Sequence, residues 1–129
     1  MKILFPIGSF YPAQSGGPNN TIFWHTTALN RLNNVYIIST DKDLSDDDVK
    51  FNIWLRKDFG SIIYLKSIFH LRNLKLFLYV VKHLNKYDVI HLTSIFFPPS
   101  FFIAIISILF KKKNVWSIRG ELDPQALIN

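Results

Sequence analysis

Few stretches of this chain combine residue types that do chemistry, and the first is the loop "SGGPNN" at residues 15–20. Gly16 and Gly17 have no Cβ, so the backbone there can take left-handed angles or let a ligand come close. Asn19 or Asn20 can then cap a helix. Such a loop exposes backbone N–H groups at the positive end of a helix, which suits a phosphate; a plain turn would use the same residues. Other chemistries lack their residues. There is no cysteine, so no thiol nucleophile, disulfide framework or Cys-ligated zinc, and its absence fits a reducing, cytoplasmic compartment. No H-E-x-x-H spacing, G-x-S-x-G elbow, Walker loop or G-x-G-x-x-G run occurs, so neither a metal nor a cofactor is expected. His25, His70 and His83 fall in or near helical stretches and read as structural or exposed.

The elements that must position this loop follow from periodicity. Residues 2–8 form a short apolar run, as a buried parallel strand does. Residues 19–33 read as a helix with Ile22, Thr26, Leu29 and Leu32 on one stripe. "VYIIST" at 35–40 is rich in β-branched residues and reads as a second buried strand. Residues 49–55 and 61–65 read as strands around a turn at Phe59 and Gly60. A helix over 71–85 places Leu71, Leu74, Leu78, Val81 and Leu84 at helical spacing. A strand at 89–92, a helix from Pro98 to Phe110 and a strand at 114–118 follow, and "RGELDPQALIN" turns towards a further helix. This alternation predicts one α/β domain over 1–129, a Rossmann-like parallel sheet with helices on both faces. Ligands in such sheets sit at the carboxyl ends of the strands. The glycine loop, the residues after Leu92 and "RGELD" after Ile118 all fall at that edge.

Charge narrows the partners. The formal net charge is +6, and five of the nine acids lie between Asp41 and Asp48, a stretch that reads as a solvated surface loop. Residues 49–120 hold twelve Lys/Arg against two acids. That excess is either solvated surface or a face for an anionic ligand or membrane; no nucleic-acid motif accompanies it, so nucleic acid is not expected. The run "IFFPPSFFIAIISILF" at 95–110 is shorter than the ~20 apolar residues of a membrane span. It reads as a helix packed on the sheet, with an apolar face resting on a membrane beside Lys111, Lys112 and Lys113 as the alternative. The N-terminal run has a single lysine and is too short for a signal peptide.

Three stretches together resemble the retaining glycosyltransferases of the large family 4, which have the GT-B fold: "SGGPNN" after the strand "KILFPIG", then "YDVIHLTS", then "VWSIRGELDPQAL". The resemblance implies the N-terminal, acceptor-side half of a two-domain enzyme. It would move a sugar from a nucleotide-diphosphate sugar to a saccharide or lipid-linked acceptor with retained anomeric configuration. Such catalysis stabilises the leaving diphosphate and an oxocarbenium-like transition state. The chain ends at Asn129, so the donor domain with its paired glutamates is expected to be missing and the acceptor domain incomplete. A sheet edge left open in this way can pair between chains.

Carried over by resemblance, Gly16 and Gly17 bring backbone N–H groups to the donor diphosphate. His91 lines the acceptor-side cleft, or else is a hydrogen-bonded histidine at a strand end. Arg119 and Gly120 lie on the acceptor side, where Arg119 either holds an anionic group by paired hydrogen bonds or pairs with Glu121 or Asp123. Two other functions remain open: a non-catalytic binding module of the same fold that needs a partner chain, and an unrelated doubly wound phosphate binder.

Overall fold

A computed structural model describes residues 1–13, 17–93 and 97–117, with the side chains of 17–20 and 69 outside that description. Six strands form one sheet in the order β3-β4-β2-β1-β5-β6. The strands are β1 (Lys2–Ile7), β2 (Asn34–Thr40), β3 (Trp54–Lys57), β4 (Gly60–Leu65), β5 (Val89–Leu92) and β6 (Lys113–Trp116). The helices are α1 (Gly17–Leu29), α2 (Arg72–His83) and α3 (Pro98–Leu109). Every strand pair is parallel except β3 with β4. The α/β class read from the sequence holds, with helices on both faces and a mostly parallel sheet consistent with a Rossmann-like fold; the antiparallel β3 departs from the parallel sheet expected.

β1 is apolar on both faces because both are covered. Ile3, Phe5 and Ile7 enter one core with Ile22 of α1 and Ile37 of β2. Leu4 enters the other, with Leu76 and Val80 of α2 and Ile103 of α3. The loop between β2 and β3 adds Leu44, Val49 and Phe51 to the α1 side, while its acids Asp43, Asp46, Asp47 and Asp48 stay exposed.

Several elements differ from the sequence reading for physical reasons. β3 begins at Trp54, not near residue 49, because Asn52 sits at φ 63° and interrupts the extended backbone. The hairpin from β3 to β4 is then tight, and Gly60 at φ +127° packs against the Val35 carbonyl, which a Cβ would approach to 2.7 Å. α1 closes at Leu29, where Asn30 takes over: its Oδ1 accepts from the Val35 N–H at 3.2 Å and its Nδ2 donates to the Asp58 carbonyl at 3.3 Å. The chain then turns directly into β2, which leaves Leu32 91% exposed rather than on the buried stripe.

The largest correction concerns α2. Leu76 and Val80 form its buried face, continued by Leu84 just past its end, whereas Leu71, Leu74 and Leu78 of the expected stripe are exposed. The helix carries two apolar stripes, and the sheet takes only one. α3 does pack on the sheet, through Pro99, Ser100, Ile103 and Ser107, and Phe101, Phe102, Ile105, Ile108 and Leu109 point away from it. It ends in a reverse turn with Lys111 at φ 58°: the Lys112 N–H donates to the Ser107 carbonyl at 2.8 Å and the Lys111 N–H to that of Ile108 at 3.0 Å. Glycine usually holds that left-handed position.

Three substitutions test this packing by urea unfolding. Leu76→Ala costs about 2–5 kcal/mol through the cavity it opens, while Leu78→Ala changes stability by less than about 0.5 kcal/mol. Lys111→Gly stabilises the protein by up to about 1 kcal/mol, because the left-handed backbone no longer carries a Cβ.

Candidate functional site

The order of the strands determines where a ligand fits. The connection from β1 to β2 passes through α1 on one face, and those from β4 to β5 and β5 to β6 pass through α2 and α3 on the other. The crossovers therefore diverge at β1 and β5, and a crevice is expected at the carboxyl ends of those two strands. Two loops meet there. The one leaving β1 begins at Gly8, where a Cβ would lie 3.1 Å from the Phe97 ring of the loop after β5.

The described part of the β1 loop, residues 8–13, is tied to the sheet at two points. The Thr40 hydroxyl at the end of β2 donates to the Gly8 carbonyl, and the Tyr64 hydroxyl on β4 donates to the Tyr11 carbonyl. Burial, reinforced by the neighbouring Tyr11, pushes the Tyr64 phenol well above the ordinary tyrosine range, so it stays a donor. Phe10 is fully buried, with its ring 5.0 Å from that of Phe59 and 6.4 Å from that of Phe23. Gly17 is the first residue of α1, so its helix start follows this loop directly. Gly16 lies outside the described residues.

His91 is the next to last residue of β5 and only 6% exposed. Its ring stacks on Phe5 of β1 at 4.5 Å and meets His25 of α1 edge-on at 5.1 Å. Its Nε2 is 2.6 Å from the Ser117 hydroxyl, just past β6. The Ser117 N–H donates to the Leu92 carbonyl at 2.8 Å, which holds that hydroxyl in place. Three segments thus bring two imidazoles and a hydroxyl together beside Phe5 of β1, beneath the carboxyl edge. These groups can donate to or accept from phosphate or sugar oxygens. Among the described residues, no group of three or more His, Cys, Asp or Glu could hold a metal ion.

His25 is the member that the sequence reading left among structural or exposed histidines. It is half-buried, and its position three residues after the buried Ile22 is the local signal that would have turned it inward. Arg119 and Gly120, the other acceptor-side residues inferred from the sequence, lie outside the described residues.

A second group closes the edge above β2 and β4. Asp41 follows β2, and its carboxylate accepts from the Arg72 Nε at 2.8 Å and from the Ser67 N–H at 3.1 Å. Burial works to raise the Asp41 pKa, but the Ser67 N–H and the Arg72 guanidinium outweigh it, so the pKa lies below the ordinary carboxylate value. Arg72 opens α2, where the helix dipole disfavours a cation, and Asp41 offsets that. One acid of the apparently solvated loop is therefore structural.

No protein-family model, curated protein or solved structure matches this chain.

Asp41→Asn is expected to lower stability by about 1–2 kcal/mol at neutral pH, since it removes the carboxylate charge that accepts from the half-buried Arg72 guanidinium and the Ser67 N–H. A carboxylate whose folded pKa is depressed contributes stability above its unfolded pKa of about 3.9, and that contribution is lost as pH falls through the folded value. Urea unfolding of both proteins across the acid range should therefore show the difference shrinking below about pH 4.

Proposed function

We propose that this chain is the acceptor-side domain of a retaining glycosyltransferase. It would serve transfer of a sugar from a nucleotide-diphosphate sugar to a saccharide or lipid-linked acceptor. The observation that carries this reading is the cluster of His91, His25 and Ser117 at the strands where the crossovers diverge, with α1 beginning at Gly17 after the first of them. The helix start supplies partial positive charge for a diphosphate. The Ser117 hydroxyl and the half-buried His25 imidazole offer hydrogen bonds to sugar hydroxyls. Resemblance of "SGGPNN", "YDVIHLTS" and "VWSIRGELDPQAL" to family 4 supplies the reaction class.

On this reading the chain's own groups bind and orient, and the barrier falls because fixed dipoles face the charge that develops on the leaving diphosphate. His91 is a positioning residue in this scheme. Its ring is covered by Phe5, and it directs the Ser117 hydroxyl.

This domain alone is not expected to catalyse transfer, so transfer is tested with the domain joined to a donor domain, using a panel of radiolabelled nucleotide-diphosphate sugars and a membrane extract as acceptor, the anomeric outcome being read by NMR. Retention with one donor is the expected result. Replacing Gly16 and Gly17 together by valine should weaken donor binding at least about tenfold, a loss of about 1.4 kcal/mol, measured by calorimetry. Transfer from no donor, or donor binding that ignores the valines, would overturn the proposal.

A further inference from the structure

The outward side of α2 and α3 has no counterpart in the proposed chemistry. Leu74 and Leu78 of α2 stand exposed, and so do Phe102, Ile105 and Leu109 of α3, with Ile105 57% and Leu109 71% accessible. The surface is continuous. Leu74 borders a groove of about 530 Å³ shared with Ile68 and Leu78, and also a cavity of about 290 Å³ shared with Phe77 and Phe102. The two helices meet through the Phe77 and Phe102 rings, 6.0 Å apart.

Charge says what fits this surface. Neither helix contains an acidic residue. Lys75 and Lys82 flank the apolar stripe of α2 and line its groove. Lys111, Lys112 and Lys113 follow α3, and the Lys112 ammonium reaches the Asn85 carbonyl at 3.4 Å, so the C-terminal ends of both helices share one basic band. Between residues 59 and 117 the sequence has one acid, Asp88, and its carboxylate accepts from the Lys2 N–H. A two-fold contact between copies would bring like charges together, because the same patch serves both sides. An anionic bilayer instead accepts apolar side chains below the headgroups and lysines among them.

We propose that the outer faces of α2 and α3 form a docking surface for an anionic lipid bilayer, on which the domain lies without crossing it. Among the described residues no helix is long and apolar enough to span a membrane. This proposal stands apart from the reading of the crevice, since it uses none of its residues.

Co-sedimentation with vesicles tests it. Binding to mixed phosphatidylglycerol and phosphatidylcholine vesicles should be at least about tenfold tighter than to phosphatidylcholine alone, and should weaken as salt rises. The double change Leu78→Ser and Ile105→Ser should reduce it at least about tenfold with an unchanged thermal midpoint, as both sites are exposed. The chain lacks cysteine, so a polarity-sensitive fluorophore can be placed at Ile105→Cys on this face and at Ala28→Cys on the opposite one. A blue shift with anionic vesicles at the first site alone is expected. Equal binding to both vesicle types, binding that ignores the serines, or a concentration-dependent dimer that the serines dissolve would each overturn the proposal.

Discussion

The architecture depends on one constraint, the burial of β1 on both faces. Alternate residues of this strand feed two separate cores, Phe5 against α1 and Leu4 against α2 and α3. Parallel strands of this kind cannot leave either face to water. Right-handed crossovers then fix the rest. A step from β1 towards β2 places α1 on one face, and the steps out to β5 and β6 place α2 and α3 on the other. The divergence at β1 and β5 follows from this, and with it the place where a crevice is expected. The ties from Thr40 to Gly8 and from Tyr64 to Tyr11 then hold the β1 loop over the carboxyl edge.

Elements governed by local chemistry were legible in the sequence. β1, β2 and β5 announce themselves as short apolar or β-branched runs, and Pro98 and Pro99 mark the start of α3. What depends on contacts between distant residues was not. In α2 two stripes have acceptable helical spacing, and periodicity alone cannot say which one the sheet will take. The choice falls on Leu76 and Val80 because β4 and β5 present Ile63, Leu65 and Ile90 there. β3 pairs antiparallel because its hairpin is too short for a crossover. The candidate site divides in the same way. His91 could be placed at a strand end from its own neighbours. Its partner His25 is 66 positions away in sequence, and only the packing of α1 over β1 and β5 brings the rings together. Asp41 looked like one of five solvated acids, and its distinction is the Arg72 side chain that reaches it from α2.

α3 shows why the outer apolar surface is built into the fold. Transfer free energy alone would turn a helix so that its bulky residues face the sheet. Here Ser100 and Ser107 face inward beside Ile103, and the Ser107 hydroxyl donates to the Ile103 carbonyl at 2.6 Å within the helix. Volume decides against the other orientation. The sheet side is already filled by Leu4, Ile90 and Leu92, and close-packed interiors do not accept added side chains without strain. Small inward residues let the helix sit close to the sheet, while the reverse turn at Lys111 and the Asn114 side chain, donating to the Ala104 carbonyl at 3.4 Å, fix its rotation. The larger residues are thereby committed to the outside together with those of α2. An apolar face imposed in this way persists for as long as the core does, which is what a docking surface requires and what chance exposure of a few surface leucines would not provide.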